Sequence, residues 1–192
     1  MFKKYLLTVF ITLFFCIPVY SAASESQKDS VWNTGRDDIS HLKGKNSNYK
    51  KGYDALKQAK KYDQKEKSDK AKKRFNDAIK FFILANEENP SQPDILYYLG
   101  YSLSKIGDFA MAEIYYEQGL SIDPHHIGIN EYLGELYVET NRIDKAKERL
   151  MILNDCNCEE YEKLNNLISI KIIWLIFINW FIKKLYNIKY SQ

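Results

Sequence analysis

An all-α fold of helix–turn–helix repeats stacked as a solenoid is predicted by a 34-residue recurrence of unlike landmarks. Ala78, Ala112 and Ala146 stand 34 residues apart, as do Phe82, Tyr116 and Leu150, and Phe75, Phe109 and Ile143. Pro90 and Pro124 return at that interval, each after a short polar residue, and Leu99-Gly100 returns as Leu133-Gly134. The second observation is the helical spacing between landmarks: Phe75, Ala78, Ile79, Phe82 and Ile83 fall on one apolar face. The third is composition. With 45% hydrophobic residues, eight Gly and four Pro in 192 residues, the chain is globular and has few breaks for long irregular loops.

Taken in order, residues 1–23 read as a secretory signal peptide. Lys3 and Lys4 precede an apolar stretch, residues 6–19, and the small residues Ser21, Ala22 and Ala23 follow. That order predicts cleavage near Ala22 or Ala23, against an uncleaved membrane anchor. Cys16 lacks the small residues a lipoprotein signal places before its cysteine, so it is not a lipid site. Residues 24–47 are polar without helical period and read as a flexible leader. Residues 48–92 hold a basic helix, with Tyr53, Leu56, Ala59 and Tyr62 as a thin apolar stripe, and then a helix ended by Asn89-Pro90. Residues 93–126 and 127–157 each hold a helix pair, turning at Gly107-Asp108 and Asn141-Arg142. Residues 158–192 close the chain with an apolar segment.

These landmarks resemble the tetratricopeptide repeat: a large apolar residue, Leu-Gly and an aromatic in the first helix, then an Ala, an aromatic and a closing Pro in the second. The repeat at 93–126 is matched by Leu96, Leu99-Gly100, Leu103, Ala112, Tyr116 and Pro124, and the next by Leu133-Gly134, Tyr137, Ala146 and Leu150. The second departs at Asn130, where a bulky apolar residue is expected, and lacks the closing Pro. Of the preceding unit only the second helix matches, so its first helix must lie within 49–72, displaced by extra charged residues. About two and a half to three repeats and a C-terminal helix result. The glycines are expected to let each second helix approach its first, the alanines to keep that crossing tight, and the aromatics to fill between repeats.

The resemblance implies that the first helices line a concave face that receives a peptide or a partner helix, and that the protein is no enzyme. Residues pointing away from the Leu-Gly face are Asp94, Tyr97, Tyr101, Ser104 and Lys105 in one repeat. In the next they are Gly128, Glu131, Glu135, Val138 and Glu139. Two tyrosines beside an acidic stripe predict a protein partner with a basic or aromatic segment, the alternative being a solvated acidic face. Some members of the family grip a carboxylate with Lys and Asn in this groove. With Tyr97, Tyr101 and acid on the stripe, that capture is not expected here.

Residues 43–74 carry 13 Lys and Arg against four acidic residues, whereas residues 77–162 carry six against 17. The basic segment reads as a solvated helix or as a contact for anionic lipid or acidic protein; export argues against nucleic acid. Cys156 and Cys158 are candidates for a disulfide in an oxidising compartment, either a stapled turn or a reactive pair. His125-His126 has no ligand set around it for a metal, and neither a catalytic triad nor a phosphate-binding glycine loop can be assembled, so no cofactor is expected. Residues 167–182 are intensely apolar and end at Lys183-Lys184. They admit three readings: a short membrane span, an amphipathic capping or surface-lying helix, or a tail altered by a change of reading frame. The expected protein is an exported, periplasmic interaction scaffold or assembly factor, held at the inner membrane if the tail spans it. A thiol-active maturation helper and a self-associating structural module are the alternatives.

Overall fold

The computed structural model describes residues 47–190. The expected signal peptide, the leader up to residue 46 and Cys16 lie outside the described residues. Seven helices are described: α1 Asn48–Asp63, α2 Ser68–Glu88, α3 Pro93–Lys105, α4 Phe109–Ile122, α5 Ile127–Glu139, α6 Ile143–Leu153 and α7 Glu159–Tyr190. There is no strand among the described residues. Three hairpins, α1/α2, α3/α4 and α5/α6, stack in chain order, and α7 packs on the last of them.

Local chemistry sets where the helices begin. The Ser47 hydroxyl accepts a hydrogen bond from the Lys50 amide, and the Asp108 carboxylate from the Met111 amide, both at 3.2 Å. Each satisfies an amide that the first helical turn leaves without a partner. Pro93 opens α3, where its missing N–H costs nothing. His126 caps α5. Its Nδ1 accepts from the Ile129 amide at 3.2 Å, which leaves Nε2 to donate to Asp94 Oδ1, also at 3.2 Å, in the neighbouring repeat.

The hairpin turns repeat one geometry. Asp108 donates its amide to the Leu103 carbonyl and Arg142 to that of Tyr137, each five residues back, after left-handed residues Gly107 (φ 89°) and Asn141 (φ 62°). These two sit 34 residues apart and close a Schellman-type helix end. The α1–α2 turn uses the same bond, Lys67 to Tyr62, with Glu66 at φ 54°. A side chain there is held in a conformation that costs about 1–2 kcal/mol, which glycine avoids.

The core follows the periodic residues. Ala78, Ala112 and Ala146 are all 0% exposed, and Phe75, Phe82, Leu99, Tyr116 and Leu133 are buried with them. Asn130, the departure from the pattern, is buried too but satisfied: its amide donates to the carbonyls of Pro124 (3.0 Å) and His126 (3.1 Å). A polar residue therefore replaces a bulky apolar one by tying the inter-repeat turn to α5.

Several expectations need correction. Ile83 lies on the outer side at 38% exposure, not in the core, because α2 presents Ala71, Phe75, Ala78, Phe82 and Ala85 inward. Phe109 and Ile143 are only half-buried, unlike Phe75. Pro124 is exposed; it ends the unit and offers its carbonyl to Asn130 but does not pack. A Cβ on Gly100 would lie 2.5 Å from the Tyr116 ring, so this glycine does serve the α3–α4 crossing. A Cβ on Gly134 would instead meet Leu164 of α7 at 2.5 Å. That second glycine admits the closing helix, since Leu164 occupies the space over α5 that a following repeat would fill.

Helix α7 has two parts. Its first turns dock through Glu160, Leu164 and Ile168, all buried. Beyond them Ile170, Ile173, Trp174, Ile176, Phe177, Trp180 and Ile182 are exposed. The helix caps the solenoid and then continues as an uncovered apolar rod.

Candidate functional site

The first helices of the hairpins form one inner face. Tyr49 and Tyr53 of α1 lie 6.1 and 5.9 Å from Tyr98 of α3, ring to ring. Tyr97 and Tyr101 of α3 lie 5.7 and 4.9 Å from Tyr132 of α5, the last pair edge to face. Aromatic contact thus runs from α1 across α3 to α5 without a break. Gly128 makes room for it, as a Cβ there would stand 3.2 Å from the Tyr97 ring.

Tyr97, Tyr101 and Glu131, expected on an open stripe, are 6%, 5% and 1% exposed. Adjacent first helices lie closer than a single helix can reveal, so the tyrosines cover one another and Glu131. Glu135 is half-buried, while Lys105 and Glu139 remain exposed. Asp94 stands apart from the stripe, because it is held by His126 as a strut between repeats. Three residues that spacing did not single out complete the face. Lys60 of α1 places Nζ 4.7 Å over the Tyr101 ring, where Lys105 also lies at 5.4 Å. Tyr132 closes the far side, and Lys163 of α7 lies within electrostatic reach of Glu131 and Glu135 while pairing with Glu159 at 3.6 Å. Lys60 was hidden among the many lysines of α1, and Tyr132 follows directly after a residue chosen for its charge.

The electrostatics of this face are set by burial. Loss of water raises the Glu131 carboxyl to about 8, with Glu135 adding repulsion and Lys163 offsetting part of it. Burial likewise raises Glu135, against the pull of Lys105 and Lys163. Lys60 is lowered to about 7, first by burial and then by Lys105, while Glu131 pulls it back. Glu131 Oε2 is buried without a hydrogen-bond partner. Such an atom costs about 1–3 kcal/mol if left so.

These shifts have a definite sign. Between the ordinary carboxylate range and pH 8 the folded protein keeps a proton on Glu131 that the unfolded chain has lost, so stability falls as pH rises. Between pH 7 and the ordinary lysine range the unfolded chain keeps a proton that folded Lys60 has lost, so stability is regained. Stability should therefore pass through a minimum near neutral to slightly alkaline pH. Thermal melts of Glu131→Gln should show a smaller decline between pH 5 and 8, with Glu135 supplying the remainder; a decline equal to that of the unaltered protein would show that the Glu131 carboxyl is not its source.

On the outer side, Arg142 donates to Glu113 at 2.7 Å and lies 4.5 Å over the Tyr137 ring, tying the second hairpin to the third. Cys156 and Cys158 form a disulfide in the turn between α6 and α7. The pair staples the point at which α7 departs from the last hairpin.

Residues 93–126 match the tetratricopeptide repeat family. No curated protein matches the chain. Among solved structures it is similar to the first tetratricopeptide-repeat domain of Spaghetti (RPAP3) bound to the HSP90 peptide SRMEEVD. The identity is 16%, over 65% of this chain and 95% of that one, with a TM-score of 0.50. It is similar also to the Sgt2 tetratricopeptide-repeat domain from Aspergillus fumigatus, at 17% identity over 63% of this chain and 78% of that one, with a TM-score of 0.50. Likeness at these identities speaks to the fold, and it agrees with the matched repeat, the 34-residue landmarks and the three stacked hairpins. Residues 93–126 are thus a tetratricopeptide repeat, set within a solenoid of stacked helical hairpins of the same fold.

Proposed function

We propose that this chain is an exported interaction scaffold or assembly factor whose inner face receives a basic, aromatic-containing segment of another protein. The observation that carries this reading is the aromatic wall of α1, α3 and α5 edged by Glu135 and Glu139, with Glu131 buried within it. Rings packed edge to face and tilted against one another give the face an apolar floor, and carboxylates along one edge favour cations and repel acidic guests. The similar Spaghetti domain holds an HSP90 peptide, SRMEEVD, with acidic residues near its end. Here the acid lies on the protein's side, which supports a guest of opposite charge.

Fluorescence anisotropy with a panel of basic-aromatic, neutral and acidic dodecapeptides tests the reading. The basic-aromatic peptides should bind most tightly, and Tyr101→Ala and Glu139→Lys should each weaken them by about threefold to tenfold, the range of one cation–π or charge contact. Preference for the acidic peptides, or binding indifferent to both variants, would refute it.

The distal half of α7 supports membrane attachment as part of the same proposal. The helix from Glu159 to Lys184 is long and apolar enough to cross a membrane, and its exposed residues lie all round the rod, as lipid contact requires and a one-sided protein seam does not. Trp180 lies near its C-terminal end, with Lys183 and Lys184 after it, in the order that suits a membrane interface. The chain should float with phosphatidylethanolamine–phosphatidylglycerol vesicles, and Ile173→Lys with Phe177→Lys should leave it in the soluble fraction. Equal flotation of the double variant would remove α7 as the anchor.

A further inference from the structure

Resting on the reading of the inner face as a groove for a basic segment, we propose that Tyr101, Glu131 and Glu135 form a seat for one arginine side chain of that segment. Lys60 stands in this seat while the groove is empty.

Four observations converge on it. Glu131 is almost wholly buried and its Oε2 has no hydrogen-bond partner, whereas buried carboxylate oxygens in native proteins are nearly always satisfied. The missing donor is what a guest would bring. The Tyr101 ring, met edge to face by Tyr132, already carries an ammonium on its surface, Lys60 Nζ at 4.7 Å. At that position the ring and Glu131 favour the charged form, against burial and Lys105. Lys60 comes from α1, a different hairpin, on a flexible four-carbon stem, so its side chain can swing while the backbone of α3 and α5 stays in place. Burial lowers its pKa to about 7, so its hold on the seat as a cation is weak near neutral pH. Finally, Glu135 lies one turn beyond Glu131 on α5, which gives two carboxyl groups for one cation; a guanidinium beside Glu131 favours its charged form, which burial alone disfavours.

The chemistry selects arginine over lysine. A guanidinium is flat, can lie against Tyr101, and carries five donors in a fork that can serve both carboxyls. It is less strongly hydrated than an ammonium and so gives up water at lower cost. Lys105 and Lys163 flank the seat and would oppose a second cation, which limits it to one. Entry requires Lys60 to swing off Tyr101, and the arriving guanidinium takes over its contact with the ring and supplies the bond that Glu131 Oε2 lacks.

The test uses the full chain in detergent and two small probes, N-acetylarginine amide and its neutral isostere N-acetylcitrulline amide, followed by amide NMR shifts. Arginine amide should perturb the α3 and α5 amides around Tyr101 and Glu131 and bind at least about threefold more tightly than citrulline amide, as a cation–π and ion-pair contact implies. Glu131→Gln should erase that difference. Lys60→Met should tighten arginine binding, a gain that misfolding cannot imitate. Equal binding of the two probes, a difference that survives Glu131→Gln, or no gain from Lys60→Met would each overturn the seat. The two proposals fail separately. If basic-aromatic peptides bind the inner face equally well with citrulline in place of arginine, the seat is wrong and the groove stands. If no peptide perturbs α3 or α5, the groove itself is wrong.

Discussion

Gly100→Leu should lower stability by about 3 kcal/mol or more, at the upper end of what overpacking a core costs. Even the first carbon of the new side chain would lie 2.5 Å from Tyr116 Cε1 and 2.6 Å from Cδ1, well inside contact distance. Tyr116 is wholly buried, and its ring is rigid, so the ring cannot turn away without moving α4 off α3. Gly100→Ala should show a smaller loss in the same direction. Gly134 provides the contrast. Its added Cβ would meet methyl carbons of Leu164 at 2.5 and 2.9 Å, the mobile end of a side chain on a terminal helix. Gly134→Ala should therefore cost less and act mainly by loosening α7. Urea unfolding of the three variants measures the order, and a Gly100→Leu midpoint equal to that of the unaltered chain would contradict the packing described for α3 and α4.

Phe82→Ala should cost about 3–5 kcal/mol, the usual range for emptying a buried aromatic site. Phe82 is 0% exposed and joins three helices. Its ring stacks on Tyr98 of α3 at 5.2 Å, meets Tyr49 of α1 edge-on at 6.1 Å, and lies where a Cβ on Gly52 would come within 2.8 Å. Removing it deletes the filling between the first and second hairpins, so hydrogen exchange in α1 should accelerate before that in α5. For a domain whose whole stability is of order 5–15 kcal/mol, such a loss is severe. A change below about 1 kcal/mol would mean that α1 and α2 are not held to the rest through this residue.

The first hairpin shows how far periodicity reaches. Gly52 and Phe82 make the contact that Gly100 and Tyr116 make one repeat later, but they stand 30 residues apart instead of 16. The extra residues lengthen α1 and α2 and shift the first helix out of the 34-residue register, so only Phe75 to Pro90 resembled the pattern. The inner face was legible in part. Lys105, Glu135 and Glu139 could be picked from helix geometry because their positions depend on one helix alone. Tyr132, Lys60 and Lys163 could not, since each reaches the face only once α5, α1 and α7 lie beside α3.

Repeat length, helix order, the buried alanines and the turn residues are local or periodic properties, and they can be read from the chain because each follows from spacing along one strand of covalent structure. Burial of Glu131, the standing of Lys60 on Tyr101 and the use of Gly134 to admit Leu164 arise between helices far apart in sequence. Distance across a packed interface, and the water it excludes, exist only after the hairpins have stacked; the character of the inner face therefore belongs to the assembled solenoid and not to any one of its repeats.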